Sequence, residues 1–361
     1  MKKSLIALAA VAASGAAMAQ SSVTLYGVVD TSVAYVKGDK SVSGLLNSGA
    51  ATSRLGFRGV EDLGNGLKAE FVLEGAVNPD DGSAGANGTF DFKRQSTVGL
   101  SGEFGQVRLG RALTASYNAV SRYDVFGTNG LGSTQAWSSD DTDYNNRANN
   151  MISYISPKIA GFGVGIDYGF GETTENRVAR YTGIGATYDN GPLSIGLGYD
   201  KQNNELKNGF GKKSDGTLIP RGDFDLKTWQ LGASYDFAVV KLAGFYKETK
   251  YNKVTGNDNY KLKSWNLGVS APVGAAGVVK ASYNNYKWSD GEGKAQQFSL
   301  GYVHNLSKRT ALYGTYAYMK NKDGAGFQLN GVAGNKFGGG AVGLKDGEKQ
   351  QGIQVGVRDA F

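Results

Sequence analysis

The chain has 361 residues, with 39 Lys and Arg against 32 Asp and Glu, a formal net charge of +7, one His and no Cys. Without Cys there is neither a thiol nucleophile nor a disulfide scaffold, and one His gives a Ser–His–acid triad or a histidine metal cluster little to be built from. Gly is abundant at 55 residues beside 20 Tyr and 16 Phe, with only 5 Pro, which fits strands facing two solvents better than one Leu/Ile/Val core.

The first stretch reads as a secretory signal peptide spanning 1–19. Lys2 and Lys3 form a basic n-region, Leu5 to Val11 an apolar h-region, and Ala17-Met18-Ala19 an A-x-A cleavage site. The segment 20–361 is then expected to form one exported domain. Loss of Lys2 and Lys3 leaves 37 basic against 32 acidic residues, a net charge of +5. No later apolar run approaches the roughly 20 residues of a spanning helix.

Strand patterning starts at Val23. Thr24, Asp30 and Ser32 share one face of Val23–Val33 and the apolar residues the other, the period-2 signature of a strand. Arg54-Leu55-Gly56-Phe57-Arg58 repeats the pattern with both arginines on the polar side. The turn Asp62-Leu63-Gly64-Asn65-Gly66 leads into Leu67–Glu74, where Lys68, Glu70 and Glu74 share a face. Charges on a sandwich core face would be costly, so that face must see water.

From there short and long connections alternate. Seven short turns (Asp62–Gly66, Ser101–Gly105, Ile155–Gly161, Asp189–Pro192, Asp236–Val239, Ala271–Gly277 and His304–Arg309) separate eight longer polar connections near 37–52, 77–91, 112–146, 169–180, 201–226, 250–261, 288–295 and 321–349. Fifteen connections imply sixteen strands. All five prolines fall in connections, as a ladder of backbone hydrogen bonds requires. Alternating faces, an even strand count, and short turns at one end with long loops at the other predict an all-β fold, a transmembrane antiparallel β-barrel. Only a closed sheet leaves no unpaired edge in lipid. The last segment, Gln350 to Phe361, is expected to pair with the first strand and close the ring.

The connection from Arg111 to Arg147 breaks all periodicity. A loop of that length between firm strands is functional or disordered, and it is expected to fold into the lumen and narrow a pore. Trp229, Trp265, Tyr283, Tyr286 and Trp288 read as interfacial girdle. No P-loop or dinucleotide fingerprint is present. The basic residues are scattered along the chain rather than clustered, which argues against nucleic acid. No cofactor or metal site is expected, since Asp140-Asp141-Thr142-Asp143 lacks a full calcium-loop spacing.

Leu25-Tyr26-Gly27, Ser53–Gly59 with Glu61–Ala69, Val98–Gly105 with Leu109-Gly110-Arg111, and the terminal Phe361 together resemble Gram-negative general diffusion porins. That resemblance implies a 16-stranded barrel in the outer membrane, with short periplasmic turns, long extracellular loops, and the third loop folded inside as an eyelet. It implies a homotrimer surrounded by outer-membrane lipid and lipopolysaccharide, passive diffusion of small hydrophilic solutes, and recognition of Phe361 by the barrel-assembly machinery. Carried onto this chain, it assigns Arg54, Arg111 and Arg147 to the basic wall of the constriction and Asp124 to the opposing acidic loop. Arg58, Lys68, Glu70, Asp140, Asp141 and Asp143 are further pore-lining candidates, with Arg58 alternatively pairing with Glu70. The arginine excess argues for anions. The competing readings are a channel selective for phosphate or organic anions and a structural or adhesive barrel; no enzymatic constellation accompanies either.

Overall fold

The computed structural model describes residues 22–83, 89–134, 146–172, 180–203, 210–212, 218–219, 224–253, 259–289, 293–329 and 349–361. Residues 1–19 and the run Asp140-Asp141-Thr142-Asp143 lie outside these, so the expectations placed on them have no structural counterpart here.

The strands are β1 (Ser22–Lys37), β2 (Ser41–Asn47), β3 (Arg54–Gly64), β4 (Leu67–Ala76), β5 (Gln95–Gly102), β6 (Gly105–Leu113), β7 (Arg147–Ile155), β8 (Phe162–Gly169), β9 (Tyr181–Asn190) and β10 (Leu193–Gln202). A small hairpin of β11 (Phe210–Lys212) and β12 (Leu218–Ile219) follows. The remainder are β13 (Phe224–Asp236), β14 (Lys241–Lys253), β15 (Asn259–Val273), β16 (Gly277–Trp288), β17 (Lys294–Asn305), β18 (Ala311–Lys322) and β19 (Lys349–Ala360). Consecutive strands pair antiparallel around the ring. β1 closes it against β19, from Val28 opposite Ala360 to Lys37 opposite Gln351. Among the described residues no helix is long and apolar enough to cross a membrane; the chain crosses with strands.

The count of sixteen holds because β2 and β3 are two halves of one barrel strand. The upper part of β1 pairs with β2 and its lower part with β3. This corrects the expected long loop at 37–52, which is a tight turn, Gly38 N donating to Lys40 O at 2.8 Å, followed by strand. The true irregularity is the detour between β2 and β3. Buried Asp30 holds it by accepting from the backbone N–H groups of Gly49, Ala50 and Ala51 at 2.9, 3.0 and 2.7 Å and from Tyr313 Oη at 2.5 Å. A carboxylate that forms no ion pair among the described residues is satisfied by converging donors, as a buried acceptor must be.

Polarity is inverted relative to a soluble barrel. On β1, Val33 and Tyr35 point outward at 65% and 45% exposure, while inward Asp30, Ser32 and Ala34 are buried. On β17, Phe298 and Leu300 face out and Gln297 and Ser299 are buried inside. Trp229 and Trp265 stand on the outer face as expected of a girdle, and Tyr283 shares it, opposite Leu267 and Phe298. Tyr286 and Trp288 do not: both are buried inside, where Phe327 packs against them with ring centroids 5.3 and 6.4 Å away. Their even numbers place them on the inner face with Ser282 and Asn284, which strand parity decides over aromatic identity.

The terminal Phe361 seals the ring. Gly27 N donates to Phe361 O at 3.0 Å and Phe361 N to Gly27 O at 3.1 Å. The phenyl ring lies over Gly27, where a Cβ would overlap it.

Candidate pore constriction

The aperiodic connection after β6 enters the barrel as expected. Helix α1 (Ala115–Val120) opens it, its N-cap Thr114 accepting from Tyr117 N at 3.3 Å. A 3-10 turn at Ser121–Tyr123 follows, and the described part runs on to Thr134. The described part of the loop is fastened at its start and again near Thr134. At its start, Asp167 on β8 accepts from Ala115 N at 2.5 Å, and Gln230 on β13 donates to Ser116 O at 2.8 Å. Farther on, Gln297 on β17 donates to Leu131 O and Ser133 O at 3.1 and 3.2 Å, and Tyr286 donates to Thr134 O at 2.9 Å. Leu131 N donates to Gln354 on β19 at 3.2 Å.

Close approach to the wall needs space, and inward-facing glycines provide it on strand after strand. A Cβ on Gly185 or Gly196 would overlap the carbonyls of Ala115 and Ala119, and one on Gly232 the ring of Tyr123. On Gly268 and Gly301 it would come 2.8 Å from Val125 and 2.7 Å from Phe126. The loop therefore lies in a furrow of glycines crossing β9, β10, β13, β15 and β17, with Ala243 of β14 buried alongside. Part of the chain's glycine excess is explained by this furrow.

Beneath the loop the inner wall is covered: Asn284, Gln297 and Ser299 are buried. Across the barrel, inward Arg58 and Lys68 remain exposed. The lumen stays open on the side of β3 and β4, and there the basic residues gather. Glu74 on β4 accepts from Arg94 Nε at 2.7 Å through Oε1 and from Tyr26 Oη at 3.0 Å through Oε2, which also faces Arg54 Nε at 3.5 Å. Arg54 further donates to Thr52 O at 3.1 Å, and Arg147 Nε donates to Arg94 O at 2.7 Å. Three guanidinium groups thus converge on one carboxylate and one carbonyl.

Arg94 is the residue that sequence reading missed. It precedes β5 and so has no alternation to betray its direction; the signal was Glu74, a lumen-face acid in need of counter-charge beside the Lys93-Arg94 pair. Arg111 departs from its expected place. β7 carries the extra residue where it meets β6, Gly110 pairing with Met151 and Ala112 with Ala148, so alternation along β6 is unbroken. With Ala112 buried inside and Leu109 49% exposed outside, Arg111 sits on the outer face, donating to Lys93 O at 2.5 Å and to Asn149 Oδ1 at 2.7 Å.

Asp124 also differs from its expected role. It is 4% exposed and organises the loop from within, accepting from the N–H groups of Phe126, Thr128 and Thr134 at 2.8, 3.1 and 3.0 Å and from Thr134 Oγ1 at 2.9 Å. Burial raises its carboxyl above the ordinary range, against those hydrogen bonds. An acid so enclosed offers the pore no acidic wall. Arg58 stacks over the Tyr26 ring at 5.7 Å rather than pairing with Glu70, whose two oxygens accept from Ser101 Oγ and Gln106 Nε2, each at 2.5 Å.

A family model for Gram-negative porins matches residues 5–324. The chain belongs to the Gram-negative porin family. Outer membrane porin protein 32 of Delftia acidovorans is 50% identical over 375 residues, covering 100% of both chains. An outer membrane porin protein of Bordetella pertussis is 34% identical, covering 89% of this chain and 95% of that one. Among solved structures, an anion-selective porin from Comamonas acidovorans superposes with a TM-score of 0.81 at 45% identity, covering 95% of this chain and 100% of that chain. The porin is thus a closed, 16-stranded outer-membrane barrel and a passive diffusion channel, its family's members being channels rather than enzymes.

Proposed function

We propose that this porin passes small hydrophilic solutes with a preference for anions, set by a basic wall of Arg54, Arg94 and Arg147 at the open side of the constriction. The observation that carries the reading is the imbalance around Glu74, where two guanidinium groups meet a single carboxylate and a third, that of Arg147, is tethered to the Arg94 carbonyl. Arginine stays protonated in a crowd of like charges where lysine would lose its proton, so the wall is a fixed positive field. Screening falls off over about 8 Å at physiological ionic strength, so in a narrow opening that field reaches every permeating ion. The enclosed position of Asp124 supports the same sign, since it removes the acid expected to oppose the wall. The solved relative described as anion-selective, at 45% identity, supports it too.

The assembly proposed is a homotrimer; solved neighbours at 15% identity that share the fold include a trimeric form of OmpT from Vibrio cholerae. Planar-bilayer recording tests the proposal. Ohmic steps with a reversal potential on the chloride side of a salt gradient are expected. A reversal potential on the cation side rejects the basic wall, and saturating currents point instead to a channel selective for particular anions.

A further inference from the structure

The detour between β2 and β3 touches both sides of the constriction. Its backbone is irregular, with Ser48 at a φ of 65°, in the left-handed region. Asp30 gathers it from behind: its carbonyl accepts from Ser48 N and from Ser53 Oγ, each at 2.9 Å, while its carboxylate takes the N–H groups of Gly49, Ala50 and Ala51. Ser53 N donates back to Ser48 Oγ at 2.9 Å, which closes the detour on itself. Irregular backbone inside a barrel is tolerated where it lines the water-filled cavity, and half-buried Thr52 sits in that position.

The bonds that shape the detour do not use the Thr52 side chain, which is turned to the inner loop instead. Its hydroxyl donates to Asn129 Oδ1 at 2.7 Å, and its carbonyl accepts from Arg54 Nη1 at 3.1 Å. Asn129 is oriented to receive it, because its Nδ2 donates to Gly127 O at 2.5 Å. Beside this contact the two backbones close in, so that a Cβ on Gly130 would overlap the Gly49 carbonyl. Gln354 joins the same pair of segments, donating to Gly49 O at 3.1 Å and accepting from Leu131 N at 3.2 Å. The stretch 129–131 of the inner loop thus rests on the detour, and the detour leads directly into Arg54.

We propose that Thr52 is a positioning residue that sets the width of the constriction at this corner, its carbonyl fixing Arg54 and its hydroxyl fixing the inner loop. The gap between the guanidinium group and the loop is then spanned by one residue, instead of being left to two elements that move independently. A charge acts more strongly on an ion that passes closer to it, so a loop released from Thr52 both widens the opening and weakens the hold of Arg54 on permeating anions. Asp30 braces the bridge from the barrel wall without meeting the solute. The effect on selectivity rests on the reading of Arg54 as part of a basic wall; the effect on width does not.

Thr52→Val keeps the shape and the carbonyl of the residue and removes only the hydroxyl. In planar-bilayer recording of the full-length porin it is expected to raise single-channel conductance above the wild-type value and to move the reversal potential toward zero. The temperature of its mobility shift on detergent gels should stay that of wild type, since the bonds from Asp30 remain. Thr52→Ser, which restores the hydroxyl, should restore both electrical readings. Asn129→Ala should change them in the same sense as Thr52→Val, and the double variant no further than either alone, as expected of two partners in one contact. Unchanged conductance in Thr52→Val overturns the proposal, and so do a Thr52→Ser channel altered as much as Thr52→Val and additive changes in the double variant. A lowered gel temperature for Thr52→Val would mean that the hydroxyl serves the barrel rather than the opening, which also refutes it. If Thr52→Val did not assemble, Asn129→Ala carries the same test from the loop side. A cation-selective wild type would reject the basic wall and leave the conductances to decide on Thr52 alone.

Discussion

Glu74 accepts a hydrogen bond from Arg94 at 2.7 Å while facing Arg54 at 3.5 Å, so one carboxylate orders two guanidinium groups and partly cancels them. Replacing Glu74 by Gln should leave the arginines in place and strengthen anion preference; replacing Arg94 by Gln should weaken it. A unit charge about 5 Å from an ion in water is worth about 0.8 kcal/mol, roughly a fourfold change in permeability ratio. Reversal potentials of the two variants should therefore move in opposite directions. Movement in the same direction would mean that the cluster acts through loop position rather than through charge. Arg111→Gln, on the outer face, should shift the potential far less than Arg54→Gln.

Asp124 offers a pH signature. Its carboxyl is raised by burial, the hydrogen bonds from Thr134, Phe126 and Thr128 acting in the opposite direction. The folded porin keeps a proton at a pH where the unfolded chain, near its ordinary value of about 3.9, has released it. The contribution of Asp124 to stability is consequently fullest below that value and is lost as pH rises through the folded one. Asp124→Asn lacks this dependence. The temperature at which wild type shifts mobility on detergent gels, compared with Asp124→Asn, should rise on acidification from about pH 7 to about pH 4. A difference that falls instead would show that the hydrogen bonds, not burial, dominate.

Strand parity and its interruptions made most of the barrel legible: the lumen-facing Arg54 and the closing strand that ends at Phe361 follow from a period of 2, sixteen strands from the connections between periodic stretches, and the inward loop from the longest break in period. Parity also corrects two readings, one taken from aromatic identity and one from the family resemblance, since it puts Tyr286 and Trp288 inside and Arg111 outside. What could not be read was set by partners distant in sequence. Arg94 turns toward Glu74 from a segment without regular structure, and Asp124 is enclosed by a turn whose far side is Thr134.

At the barrel seam the Phe361 ring occupies the place a Cβ on residue 27 would take. Gly27 leaves room for the Phe361 ring and exchanges two backbone hydrogen bonds with it. Gly27→Leu should displace the ring and lower the yield of heat-resistant, folded barrel, whereas Phe361→Tyr should be tolerated. If refolding yield from urea into detergent were the same for Gly27→Leu as for wild type, the ring would not contribute to closure.

The glycine furrow makes the position of the inner loop a property of the wall rather than of the loop alone. Overfilling a packed site costs about 1–3 kcal/mol, and at Gly232 the added atoms meet Tyr123, at Gly301 Phe126. The wall strands are held by continuous ladders on both sides, whereas the loop is held at separate points by Gln230, Gln297, Tyr286 and Gln354. The loop is the part that yields. Gly232→Leu together with Gly301→Leu should push it toward the open side, towards Arg54 and Arg94, and lower single-channel conductance while the barrel still assembles. Gly314→Ala, where the nearest atoms are 3.7 Å away, adds a side chain without touching the loop and should leave conductance at the wild-type value. Unchanged conductance in the double variant, with assembly intact, would mean that the loop does not depend on the furrow for its seat.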